Sequence, residues 1–202
     1  AHGFRYEVLV EDVARAYRAR NAAGPPADPR AQGWLCDGPR TFPTPAHFHL
    51  GAMGGYFTWQ ELLDELDLMA ATYPGLITAR SSIGTSIEGR SIDFVRVSNA
   101  PNTDQDKPEV LYNAVHHARE PGGISQMVFF LWYLLENYGA DAEVTHLLDT
   151  RELYFVPCVN PDGYVYNETT DPGGGGMWRK NRRDNGDGSF GVDLNRTYGQ
   201  DW

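Results

Sequence analysis

The 202-residue chain has only two cysteines, Cys36 and Cys158, and they fall in no metal-ligand spacing. Two are also too few for a disulfide framework. They could pair with each other, but Cys158 lies in the apolar run "LYFVPCV" and reads more simply as a buried small residue. Basic charge is scarce as well: 17 lysines and arginines face 27 aspartates and glutamates, for a formal net charge of −10. A field of that sign repels polyanions, so nucleic acid and anionic membrane are disfavoured as general partners. No apolar run is long enough to cross a bilayer, and no charged-then-apolar segment opens the chain as an export signal would. The first residue is Ala1 rather than Met, so a processed or excised piece is expected.

What is present is an ordinary globular composition, 41% hydrophobic, enough to bury a core. Residues 1–22 suggest a short strand at 6–10 and one helix beginning near Glu11, too little to fold alone. Residues 23–50 shift to Pro, Ala, Gly and Asp, including "GPPADPR" and "FPTPAH", and read as an irregular linker with little to bury. From residue 51 the periodicity changes. Thr58 and Glu61 form a T-x-x-E capping box, and Trp59, Leu62, Leu63, Leu66, Met69 and Tyr73 recur at helical spacing until Pro74 and Gly75. Glu61, Asp64, Glu65 and Asp67 are expected mostly on the wet side. Two β-type runs around Gly84 and "EGR" predict an antiparallel hairpin. "EVLYNAV" predicts a strand buried on both faces, "ISQMVFFLWYLLENYG" a helix packed on a sheet, "DAEVTHLLDT" a second helical piece and "RELYFVPCV" another buried strand. This alternation implies a layered α/β domain in which the later strands run parallel.

Ligands bind at the carboxyl ends of such strands. Both "HHARE" and "NPDGY" fall there. His117 and Glu120 are three residues apart, a spacing that lets an imidazole and a carboxylate aim at one Zn²⁺ from a tight turn. Spacing alone equally fits a solvated loop histidine and a surface glutamate. Four ionisable groups between two apolar segments nevertheless cost solvation energy unless something compensates, and a metal would. "MWRKNRR" concentrates four cations in an acidic chain: a solvated loop, or a site for a small anion such as a carboxylate, which arginine clamps at two points. "GVDLNR" adds Asn195 and Arg196 and says nothing by itself. "RDNGDGSFG" misses the register of a calcium loop and reads as a turn.

In this order, "HHARE", "VPCVNPDGY", "MWRKNRR" and "GVDLNRTYG" resemble the zinc metallocarboxypeptidases of the carboxypeptidase A type, most closely the bacterial carboxypeptidase T branch. "GYFTWQELLDELDLMAATYP" and "SIGTSIEGRSI" are similar to that family's opening helix and hairpin. The resemblance covers residues 52–202. It implies a three-layer α/β/α domain on a mixed sheet, with residues 1–22 as the tail of an inhibitory propeptide, 23–50 as the activation region and 51–202 as the N-terminal half of the catalytic domain. It further implies His117 and Glu120 as zinc ligands, Arg119 in a substrate subsite and Arg179 polarising the scissile carbonyl. Asn195 and Arg196 would grip the terminal carboxylate of a peptide, so peptide or protein C-termini are the expected substrates. His116, Lys180, Arg182 and Arg183 inherit no role.

The family's third zinc ligand, a histidine, and its general-base glutamate would follow Trp202, and Thr197 replaces the asparagine usual after the Asn-Arg pair. The chain alone is therefore expected to be inactive and to hold metal weakly, while its parent is expected to be a secreted, monomeric zinc exopeptidase precursor. A non-catalytic module that binds peptide C-termini, and a fragment without function, are the alternatives.

Overall fold

The computed structural model describes residues 11–22, 42–196 and 198–199. The strand expected at 6–10 and most of the Pro-rich segment, with Cys36, lie outside the described residues. The elements are α1 (Val13–Ala22), α2 (Trp59–Thr72), β1 (Ser81–Thr85), β2 (Ser91–Val97), β3 (Glu109–Asn113), α3 (Gly122–Asn137), α4 (Ala142–Thr150), β4 (Glu152–Val156), α5 (Pro161–Thr170) and a 3₁₀ turn at Leu194–Arg196. None of the described helices is long and apolar enough to cross a membrane.

The capping box forms as the sequence predicts. Thr58 Oγ1 accepts from the Glu61 N–H at 3.1 Å, and Glu61 Oε2 accepts from the Thr58 N–H at 2.7 Å, satisfying two backbone donors at the start of α2. The strands form one mixed sheet in the order β1-β2-β4-β3. β1 and β2 are the expected antiparallel hairpin, β2 and β4 are antiparallel, and β3 and β4 run parallel from Glu109↔Glu152 to Asn113↔Val156. A parallel pair needs a crossover, which α3 and α4 supply.

The core is built by alternation. Val95, Val97, Leu153 and Phe155 turn to one face of the sheet and join Leu62, Leu66 and Met69 of α2 and Val128, Leu131, Trp132 and Leu135 of α3. Each such side chain contributes about 1.5–3 kcal/mol by leaving water. Cys158 belongs to the same cluster, and burial pushes its thiol well above the ordinary range, which makes it a poor nucleophile.

Three expectations need correction. β3 is not buried on both faces: it pairs only with β4 among the described residues, and Leu111 is 62% exposed. Its apolar run cannot distinguish an edge from a central position, and only Val110 and Tyr112 pack on the core. Glu65 is not on the wet side. It lies three residues from Leu62 and four from Met69, on the apolar face of α2, where it accepts the buried Trp132 indole N–H at 2.6 Å and pairs with His49 at 3.0 Å. A buried indole needs an acceptor, and Glu65 provides it. Finally, residues 42–50, irregular as expected, are not merely a linker with little to bury but are tied to α3. Glu136 accepts the Ala46 N–H at 2.6 Å and the His47 N–H at 2.9 Å, while the His47 ring stacks on Trp132 at 4.6 Å between centroids.

Removing the buried carboxylate by Glu65→Ala leaves the Trp132 N–H without its acceptor and is expected to cost about 1–3 kcal/mol in urea unfolding. An unchanged midpoint would contradict this. The docked segment is also expected to respond to pH. The Leu50 carbonyl, and then Glu65, outweigh the opposing effect of burial and raise the His49 imidazole above its ordinary 6.5. Its contribution is therefore complete below that pH and is lost as pH rises through the raised value. Burial would raise the Glu136 carboxyl, but the hydrogen bonds from His47 and Ala46 hold it below its ordinary 4.5, so its contribution is lost only as pH falls through the lowered value. Hydrogen exchange at Ala46 and His47, corrected for intrinsic rates, should show more protection at about pH 5.5 than at about pH 8. Equal protection would refute the coupling.

Candidate active site

The carboxyl ends of the parallel strands β3 and β4 point the same way, and the segments that follow them build the site. After β3 the chain leaves the sheet at Val115, which holds φ +56° while buried. A β-branched residue in the left-handed region stores about 1–3 kcal/mol, a strain found mainly where a functional loop must be aimed. The turn that follows closes with the Glu120 N–H donating to the His117 carbonyl at 3.1 Å. This brings His117 Nδ1 to 2.9 Å from Glu120 Oε1. After β4, Asn160 caps α5 by accepting the Gly163 N–H at 3.1 Å, and its Nδ2 donates to the His116 carbonyl at 3.1 Å. The start of α5 is thereby tied to the histidine turn.

The two later motifs close on the same imidazole. The Ala118 N–H donates to the Arg179 carbonyl at 3.0 Å, fixing "MWRKNRR" alongside "HHARE". Asp193 Oδ1 lies 3.1 Å from His117 Nε2, and Asp193 Oδ2 pairs with Arg179 Nη2 at 3.1 Å. Arg179 Nη2 is also 2.9 Å from His117 Nε2. That nitrogen cannot both donate to Asp193 and accept from Arg179. For Nδ1 to serve a cation, the ring proton must sit on Nε2 and go to Asp193, and Arg179 then keeps its pairing with the other carboxylate oxygen. Burial by itself would raise the Asp193 carboxyl, but the Asn195 N–H, the Arg179 charge and His117 together hold it below the usual carboxylate range.

These residues fit zinc. The histidine nitrogen and carboxylate oxygen nearest each other are the two that would ligate it, and donors on one tetrahedral zinc stand roughly 3.4 Å apart, so a slight opening admits the ion. Asp193 holds the opposite ring nitrogen, as the partner of a metal-binding histidine does. Among the described residues no group of three histidines, cysteines, aspartates or glutamates is arranged to hold one metal ion, since Asp193 faces the other ring nitrogen. The Arg179 Nε–H is buried without an acceptor, so the guanidinium has unused donor capacity inside the site.

Of the residues singled out in the sequence, His117, Glu120 and Arg179 come together directly. Arg119 is exposed and lines a cleft of about 260 Å³ with Tyr56, Glu120, Gly174, Gly176 and Met177. Asn195 and Arg196 stand exposed on the 3₁₀ turn that starts immediately after Asp193, attached to the site through the Asn195 N–H, which donates to Asp193 Oδ1 at 3.1 Å. Arg182 lies over the Tyr166 ring at 3.9 Å and the Trp178 ring at 4.5 Å, in a packing position. His116 bonds Tyr198, and burial, then the neighbouring His117, push its imidazole down. Asp193 and Asn160 were not legible as site residues. The only signal was an acid inside "GVDLNR" and an asparagine before a proline at a strand end.

A profile of the zinc carboxypeptidases matches residues 62–202. The zinc carboxypeptidase of Saccharothrix mutabilis subsp. capreolus is 34% identical over 148 residues, which is 73% of this chain and 33% of that protein. An inactive metallocarboxypeptidase of Ajellomyces capsulatus is 40% identical over 124 residues, covering 60% of this chain and 20% of that one. The crystal structure of thrombin activatable fibrinolysis inhibitor superimposes on 95% of this chain and 41% of its own, with a TM-score of 0.67 at 25% identity. The chain spans about a third of the length of the bacterial zinc carboxypeptidase and of rat carboxypeptidase A2. The parallel strand pair, the histidine turn at its end and the matched residues 62–202 place the chain in the zinc carboxypeptidase family.

Proposed function

We propose that the protein carrying this chain is a zinc-dependent metallocarboxypeptidase that releases C-terminal residues from peptides. The observation that carries the reading is the His117 imidazole, held with one nitrogen toward Glu120 and the other toward Asp193, with Arg179 alongside. His117 and Glu120 would hold the ion, and zinc, when bound, supplies Lewis-acid polarisation and an activated water. Asp193 keeps the His117 proton on Nε2 and so leaves Nδ1 as a ligand. Arg179, with its unpaired Nε–H, holds negative charge as it develops on the scissile carbonyl oxygen. Asn195 and Arg196 bind the terminal carboxylate, which restricts cleavage to the end of a chain. Arg119, at the mouth of its cleft, contacts the peptide upstream. The third ligand and the general base of the complete reaction are assigned to no residue of this chain.

The reading extends to a secreted zymogen. Its support is α1, whose Arg18 pairs with Asp171 at 2.5 Å beside the glycine run 173–176 that borders the Arg119 cleft. A Cβ on Gly175 would come within 2.6 Å of Arg18 Cγ, so the helix packs against the backbone at that position. The second reading, a non-catalytic binder of peptide C-termini, is favoured by the similarity to an inactive metallocarboxypeptidase.

Two outcomes are expected. Asp193→Asn should weaken zinc binding by about 10- to 100-fold in chelator competition, because the ligand histidine loses its orienting partner. Unchanged affinity would show that Asp193 does not serve the metal. In the full-length protein, Arg179→Ala should lower kcat about 10²- to 10³-fold on a peptide with a free C-terminus, and an amidated peptide should not be cut. Binding of the free-ended peptide without turnover, independent of zinc, would establish the second reading instead.

A further inference from the structure

Arg179 reaches the site from a loop, and the precision of its guanidinium depends on what fixes the backbone around it. On one side its own carbonyl accepts the Ala118 N–H at 3.0 Å. On the other stands Asn167, a buried side chain on α5 that the catalytic arrangement does not use. Its Nδ2 donates to the Trp178 carbonyl at 2.7 Å, and its Oδ1 accepts the Trp178 N–H at 2.8 Å. Both backbone polar groups of the residue before Arg179 are thus held by one planar amide, as a neighbouring strand would hold them. Asparagine can do this because it carries a donor and an acceptor on the same short side chain. The approach is close: a Cβ on Gly176 would fall 2.6 Å from Asn167 Cβ.

The loop has independent anchors. Arg182 stacks on Tyr166 and Trp178, and Gly163 lets the Lys180 carbonyl approach α5 so closely that a Cβ there would sit 2.5 Å from it. Loss of the Asn167 amide therefore leaves the loop attached while freeing the peptide next to Arg179. We infer that Asn167 is a positioning residue for Arg179, setting the direction of its guanidinium through the Trp178 peptide; this rests on the carboxypeptidase reading above. α5 then serves both halves of the site, with Asn160 holding the histidine turn and Asn167 the arginine loop.

The test uses the full-length, zinc-loaded enzyme with Asn167→Leu, Asn167→Asp, Arg179→Ala and the Asn167→Leu/Arg179→Ala pair, each checked for folding by thermal unfolding. Asn167→Leu is expected to lower kcat about 10- to 100-fold, the scale of a misplaced catalytic group. KM should stay within about twofold, because the lost interaction is made in the transition state. In the Arg179→Ala background the same change should add no further loss. In the chain itself, ¹⁵N-arginine spectra should show the Arg179 Nε–H resonance shifted or broadened in both Asn167 variants. An unchanged kcat, losses that multiply with Arg179→Ala, or an unmoved resonance would overturn the inference while leaving the carboxypeptidase reading standing. A normal kcat for Arg179→Ala would overturn both. If Asn167→Leu does not fold, Asn167→Asp, which keeps the acceptor but sets an oxygen against the Trp178 carbonyl, carries the same comparison.

Discussion

The parallel pairing of β3 with β4 is the contact on which the site depends. It runs unbroken over five residue pairs and continues past both strand ends, where the Ala114 N–H donates to the Val156 carbonyl at 3.2 Å and the Val159 N–H to the Ala114 carbonyl at 3.0 Å. A one-residue slip would turn every side chain of β3 to the other face, taking Val110 and Tyr112 off the core. It would also move the histidine turn relative to Asn160. Register in the sheet is thus register in the site. α3 and α4 hold it by burying Val128, Leu131, Trp132 and Leu148 beneath the same strands.

From that base the site is assembled by hydrogen bonds across long sequence distances. Histidine turn, α5, arginine loop and 3₁₀ turn are each short and each tied to another. His117 is the common point, with Glu120, Asp193 and Arg179 arranged around its ring. Such a group of ionisable side chains is costly inside a protein unless each is paired, and here the two carboxylates flank the imidazole, with one of them also paired to the guanidinium. The arrangement holds two carboxylates against one imidazole and one guanidinium, leaving room for a positive charge beside Glu120. That electrostatic balance, more than the H-x-x-E spacing, is what makes zinc the fitting occupant.

Much of this was legible in the sequence where local chemistry decides the outcome. The Thr58–Glu61 box, the hairpin, the apolar α3 and the strand-end position of "HHARE" follow from capping, alternation and periodicity. What escaped depended on tertiary partners. Glu65 looks like one more acid on a charged helix face, and only the Trp132 indole explains its burial. The apolar run of β3 carries no mark of how many neighbours it pairs with. "FPTPAHFH" reads as linker because prolines hide two histidines and a phenylalanine that find partners on α2 and α3. Asp193 and Asn167 were invisible for the same reason: each acts on a residue distant in sequence.

The central claim is that His117 presents Nδ1 to a metal while Asp193 keeps Nε2. The measurement that tests it most directly is a crystal structure of the zinc-soaked protein with anomalous data at the zinc edge. The account predicts a zinc peak between His117 Nδ1 and the Glu120 carboxylate, about 2.0–2.1 Å from the ring nitrogen, with Nε2 still bonded to Asp193. A zinc ion bound through His117 Nε2 and Asp193, or seated away from both, would contradict it.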